Sequence, residues 1–270
     1  MKPYCVPEKT EKYIGYDMIQ NHTDIPALPD ARLRLLHAFL EASPAAAKSE
    51  VYGTVTALLQ VGLDIHDRVA PGDDSEEERA MRSRQLKVLA GDYYSSRFYE
   101  LLAGAGEIGM VAELSRAIAD VNRRKMELYL RMQREPQLGL DDYLNEMAGL
   151  KARLFEGFDG LLDGPLLPHW NRLLTLVSLH EAAAEELQAA GDRQAYEGLT
   201  FRGGSAAGSP EDAEALRERL SRQLRRTAAD FEAAVSELPG GIDVQALRLL
   251  TERFAASAGG ADEAKGEVKE

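Results

Sequence analysis

The stretch V-L-A-G-D-Y-Y-S-S-R-F-Y-E-L-L, Val88 to Leu102, limits the possible folds more than any other in this chain. At helical spacing, Leu86, Leu89, Ala90, Tyr93, Arg97 and Glu100 lie along one side. Tyr94, Phe98 and Leu101 line a second side, and Tyr99 and Leu102 a third. A helix that is apolar around most of its circumference does not sit at a surface with one face in water. It is either central to its own bundle or shared with a partner. A second helix precedes it and carries L-L-Q-V-G-L-D-I-H-D-R-V, Leu58 to Val69.

The rest of the chain repeats the helical pattern, and no alternation of the β type competes with it. Residues 1–28 are proline-rich and read as an irregular segment. Residues 29–256 read as a single all-α bundle domain of about eight to ten helices, with a glycine-rich flexible connection at about 191–209. Pro-Gly, Pro-Gly-Gly and Ser-Pro pairs punctuate the helices. Asp141 and Asp243 are placed to cap the helices that follow them. Residues 257–270 read as a disordered tail.

Charge narrows the function. The 270 residues carry a net charge of −13. Such acidity disfavours nucleic acid, which wants a basic stripe, and electrostatic docking on anionic lipid. No apolar run approaches the roughly 20 residues that span a bilayer, so stable membrane insertion is not expected. The one cysteine, Cys5, forms no internal disulfide, and the N-terminus lacks an apolar signal core. The expectation is a cytoplasmic protein.

V-L-A-G-D-Y with its aromatic tail resembles the helix of trans-prenyl diphosphate synthases that carries (I/V)-L-x-G-D-x-L. L-D-I-H-D-R resembles the helix bearing their first aspartate-rich motif. His66 and Asp67 match its histidine and first aspartate, and Arg68 stands where the second aspartate belongs. R-Q-L-K-V-L-A-G-D-Y-Y-S is most similar to one branch, component I of two-component heptaprenyl or hexaprenyl diphosphate synthases. The resemblance implies the isoprenoid synthase type of helical bundle. It also implies a heterodimer with a catalytic component II, which would hold Mg²⁺ and build a long all-trans prenyl diphosphate for the menaquinone side chain.

The departures from that family carry the functional reading. Departure of an allylic pyrophosphate needs Mg²⁺, which is hard and octahedral and takes carboxylates, waters and phosphate oxygens. Active synthases supply two facing D-D-x-x-D motifs. This chain has none. Its degenerate first motif keeps Asp64, His66 and Asp67, while Asp73 and Asp74 fall beyond Pro71-Gly72. Lys151 with Leu154 and Phe155 matches the family's K-T-x-x-L-F. The helix expected to hold the second motif has no aspartate from Leu173 to Leu187. No catalytic residue, metal ligand or cofactor is therefore assigned to this chain.

Other residues have simple structural readings. Asp64 and Asp67 are suited to capping or pairing with Arg68 or Arg84. Gly91 and Asp92 read as a close-packing glycine and a hydrogen-bonding group between helices. Arg123, Arg124 and Lys125 read as a solvated patch. His180, Glu181, Glu185 and Glu186 lack the paired Glu-x-x-His pattern of a di-metal bundle. Tyr93, Tyr94, Phe98 and Tyr99, with Met126, Tyr129 and Met132, form the candidate contact with the catalytic component, since aromatics and methionine are enriched at interfaces. The alternative for the same aromatics is core packing. Two enzyme readings stand beside the subunit reading. One is a metal-dependent phosphohydrolase built on the His66-Asp67 doublet with His37 and Asp92. The other is a stand-alone prenyltransferase.

Overall fold

The computed structural model describes residues 2–21, 23–69, 78–135, 138–162, 164–191 and 210–263. Ten α-helices account for most of them, and no strand occurs among the described residues. The all-α class expected from periodicity is the class observed. None of the described helices is long and apolar enough to cross a membrane.

The chain divides into two compact units, Met1–Arg116 and Ala117–Glu270, where the sequence suggested a single domain. The boundary falls inside the long helix α6 (Ile108–Arg134), whose continuous periodicity hides it. The first unit contains α1 (Val6–Ile14), α2 (Asp17–Gln20), α3 (Asp30–Glu41), α4 (Ser49–Asp67) and α5 (Glu78–Gly104). Helices α1 and α2 correct the reading of residues 1–28 as irregular. The start of α1 follows from Pro7, which stands in its first turn where no intrahelical donor is required.

The segment before α1 is tied down by polar contacts. Tyr4 donates to Asp30 over 2.8 Å, the Lys2 amide donates to Glu41 over 2.8 Å, and the His37 ring meets the Lys2 carbonyl at 3.0 Å. Val6 then inserts against Gly53, where an added Cβ would stand 2.6 Å from its methyl group. Within α5, Tyr94 and Phe98 are buried in the core with exposures of 0% and 1%. Tyr94 packs with Leu58, Val61 and Ile65 of α4 and Ile14 of α1. The central position read for α5 is thus real on one side of it. Its Val88, Leu89 and Tyr99 face water.

The second unit continues from α6 into α7 (Leu140–Glu156), α8 (Leu167–Gly191), α9 (Pro210–Ser236) and α10 (Val244–Glu263). Leu128, Tyr143, Leu144, Ala183, Leu220 and Leu224 share one core. Trp170 is fully buried, and its indole donates to Asp159 over 2.8 Å. Asp243 caps α10 by accepting from the Ala246 amide over 3.0 Å. Asp141 does not cap α7: Gly139 holds the cap position, and Asp141 lies in the first turn, where an acid favours the helix dipole. Residues 257–263, read as the start of a disordered tail, are the end of α10, held there by burial of Ala258. The predicted connection at about 191–209 lies almost wholly outside the described residues, as do Asp73, Asp74 and residues 264–270.

Tyr94→Ala is expected to cost about 3–5 kcal/mol, the usual loss for emptying a buried aromatic site. Tyr99→Ala, half exposed on the same helix, is expected to change stability by under about 0.5 kcal/mol. Urea denaturation followed by circular dichroism measures both.

Candidate functional site

The helix pair α4 and α5 carries what remains of the first metal motif. Two glycines let the helices meet. A Cβ on Gly62 would lie 3.0 Å from the Gly91 carbonyl oxygen and 3.2 Å from the Ser95 amide nitrogen. A Cβ on Gly91 would lie 2.6 Å from His66 Nε2 and 2.7 Å from its Cε1. The imidazole of His66 therefore lies flat over Gly91, which explains the glycine of V-L-A-G-D-Y. From there Nε2 stands 3.3 Å from Asp92 Oδ1. The histidine of the first motif and the aspartate of the second signature form one interhelical contact at the edge of the pair, where Asp92 remains largely exposed.

The neighbouring carboxylates serve the same helices. Asp64 accepts from Gln60 over 2.8 Å, and Gln60 in turn accepts from Arg32 of α3 over 3.2 Å. Asp67 is the last residue of α4. Arg68 follows as its C-cap, donates to the Asp24 carbonyl over 3.1 Å, and lends its own carbonyl to Lys87 at 3.3 Å. Arg68 thus joins three segments of the first unit and puts a guanidinium where a metal site needs a carboxylate.

In the second unit, α8 carries a buried histidine. His180 of α8 is 3% exposed. Its Nδ1 is 2.9 Å from Thr227 Oγ1 of α9, and its Nε2 is 2.9 Å from Ser257 Oγ of α10. Its ring stacks on Phe254 with centroids 4.0 Å apart. Burial pushes its pKa down to about 4, so the ring is neutral near pH 7. The adjacent acids are also engaged: Glu185 pairs with Lys151 at 2.6 Å, and Tyr143 donates to Glu186. Lys151, the match to the family's conserved-pattern lysine, is thereby neutralised from within the chain. Sequence reading noticed His180 but not its partners, because Thr227 and Ser257 lie 47 and 77 residues away.

These residues do not fit a magnesium cluster. Among the described residues no group of three or more His, Cys, Asp or Glu side chains gathers in a metal-binding arrangement. The phosphohydrolase reading meets the same difficulty. His66 and Asp92 are together, but the His37 ring is committed to the N-terminal Lys2 carbonyl. Of the proposed partner contacts, Tyr94 and Phe98 must be withdrawn, since the chain's own core covers them. Tyr93 is half-buried, holding Arg97 over its ring at 4.6 Å. Tyr99, Met126 and Tyr129 are exposed at 51%, 57% and 50%.

Two measurements test this geometry. Gly91→Ala is expected to displace His66 and cost about 1–3 kcal/mol, an overpacking loss readable by thermal denaturation. For His180 the folded pKa lies below the unfolded value of 6.5. Its neutral form therefore stabilises the fold above pH 6.5, and that stability drains away as pH falls toward 4. The loss across that window is on the order of 3 kcal/mol. His180→Gln should flatten the stability–pH curve there; an unchanged curve would contradict the assignment.

The family of proteins described as heptaprenyl diphosphate synthase (HEPPP synthase) subunit 1 matches residues 16–227. Heptaprenyl diphosphate synthase component 1 of Geobacillus stearothermophilus is 42% identical over 88 residues, which are 33% of this chain and 38% of that relative. The matched segment is thus well under half the relative's length. Among solved structures, heptaprenyl diphosphate synthase from Staphylococcus aureus superposes with a TM-score of 0.64 at 11% identity, covering 94% of this chain and 96% of that one. A decaprenyl diphosphate synthase from Rhodobacter capsulatus gives 0.60 at 16% identity, covering 92% and 98%. At such low identity these two establish a shared all-α isoprenoid synthase fold and nothing further. With a family match over more than half its length, the chain belongs to the heptaprenyl diphosphate synthase subunit 1 family.

Proposed function

We propose that this chain is the regulatory, non-catalytic small subunit of a heterodimeric long-chain all-trans polyprenyl diphosphate synthase. Its partner is a catalytic component with both aspartate-rich motifs and their Mg²⁺, and the product, by family, is the heptaprenyl diphosphate that supplies the menaquinone side chain. The observation that carries this reading is the donor set. Where an active synthase gathers carboxylates, His66 turns to Asp92, Asp64 holds Gln60, Arg68 caps α4, and α8 presents a buried neutral His180. Transition-state charge on a departing pyrophosphate needs cations poised to receive it. This chain offers instead a helical scaffold whose remaining motif residues contact their own neighbours.

The same fold gives such a subunit something to contribute. A growing prenyl chain needs a long apolar channel, and a partner's bulky side chains can help to form or end it without touching the chemistry. The exposed Tyr99, Met126 and Tyr129 are the remaining candidates from the aromatic and methionine set for meeting the catalytic component.

Purified alone with farnesyl diphosphate, isopentenyl diphosphate and Mg²⁺, the chain is expected to give no elongated product. Mixed with the catalytic component it is expected to give long-chain product, measured by chromatography, with the same yield for Arg68→Ala in a folded protein. Turnover by the chain alone would make it a stand-alone prenyltransferase and end this proposal.

A further inference from the structure

Helix α3 carries a polar stripe along one side. Asp30, Arg34, His37 and Glu41 recur at spacings of four, three and four, so they share a face, and all four are half-buried or buried. Residues 2–5 lie across this stripe as a strap and meet every member of it. Tyr4 donates to Asp30 over 2.8 Å and holds the Arg34 guanidinium over its ring at 4.3 Å. The same ring meets His37 edge-on, with centroids 5.6 Å apart. The Lys2 amide donates to Glu41 over 2.8 Å, and the Lys2 ammonium donates to the Ala47 carbonyl over 3.1 Å. Beyond the strap, Val6 sits in the notch at Gly53, and Lys9 pairs with Glu50 at 2.7 Å, which ties α1 to α4.

One contact in this set requires a particular protonation state. His37 Nε2 stands 3.0 Å from the Lys2 carbonyl oxygen. A carbonyl only accepts, so Nε2 carries the hydrogen, and the neutral ring leaves Nδ1 bare. Nδ1 is buried, and no hydrogen-bond partner reaches it. A second N–H at that atom would be enclosed without an acceptor, on a ring that is then charged. Glu41, one turn on, attracts such a charge, but its carboxylate already receives the Lys2 amide and the Ser49 hydroxyl. A protonated ring that turns toward Glu41 gives up the Lys2 carbonyl and competes with the Lys2 amide. One proton therefore works against both backbone contacts of Lys2. The other ionisable groups nearby offer no relief: Lys2 and Arg34 are cations, Asp30 is paired with Arg34 and receives the Tyr4 hydroxyl, and Glu50 of α4 is held by Lys9.

We infer that residues 2–5 form an acid-released strap, latched by neutral His37 and freed when a proton from solvent adds to His37 Nδ1. Val6 in its notch is the hinge, because that contact is apolar and does not respond to charge. Release bares the polar stripe of α3 and frees Tyr4. The inference rests on the first unit alone and is independent of the subunit role proposed above.

The test uses the full chain. Cys5 is its one cysteine, lies in the strap and is half-exposed, so a nitroxide spin label attaches there alone. Electron paramagnetic resonance is read at about pH 8 and about pH 5.5, across the range in which histidine acts as a switch. The ratio of mobile to immobile label is expected to rise at least about fivefold at the lower pH, the effect of enclosing one donor without a partner. Circular dichroism at both values checks that the helices persist. His37→Gln keeps an Nε2–H donor for the Lys2 carbonyl and takes up no proton, so its label is expected to stay immobile throughout. His37→Leu removes the donor, and its label is expected to be mobile throughout. A check without any variant uses carbon-13 histidine: the His37 ring signals must titrate at the same midpoint as the label. A wild-type label that is immobile at both pH values, or mobile at both, would overturn the inference. So would separate midpoints, or a pH response that persists in His37→Gln.

Discussion

The first unit depends on the close approach of α4 and α5. Gly62 and Gly91 remove the side chains that would hold the helices apart, and the backbones come within ordinary contact of each other. The contact between His66 and Asp92 follows from that approach. His66 covers Gly91 and reaches Asp92, while Tyr94, one turn beyond Gly91, fills the space between the helices and α1. A packing solution of this kind fixes side-chain directions tightly, because interiors tolerate few voids and little overlap. His66 stays partly exposed at the edge of the pair, beside Asp92.

The second unit is joined by a buried histidine. His180 ties α8 to α9 and α10 by two hydroxyl contacts and an aromatic stack. A carboxylate in that enclosure would need a cation or several donors to offset its desolvation. A neutral imidazole needs only one donor and one acceptor, which Thr227 and Ser257 provide. Nearby, Lys151 of α7 pairs with Glu185 of α8 at 2.6 Å.

Much of this was readable in advance, and the failures have physical causes. Helix class and most helix positions follow from apolar periodicity, which is strong in α6, α7 and α9. The glycine of V-L-A-G-D-Y announced a close approach, and the structure shows what approaches it. The aromatic run of α5 was harder: Tyr94, Phe98 and Tyr99 have similar chemistry, and only tertiary packing separates two core residues from one surface residue. Proline density made residues 1–28 look irregular, whereas Pro7 starts a helix. The His180 cluster spans three helices, so no local spacing reveals it. The boundary inside α6 is invisible to periodicity, because a helix can belong to two packing units without changing its own repeat.

Central to the proposed role is that the residues left at the first metal motif are engaged with their neighbours and hold no magnesium-dependent diphosphate site. Isothermal titration calorimetry of inorganic pyrophosphate into the isolated, folded chain, with and without Mg²⁺, tests it most directly. The account predicts that Mg²⁺ adds nothing to whatever weak binding is seen. Saturable pyrophosphate binding that appears only when Mg²⁺ is present would contradict it.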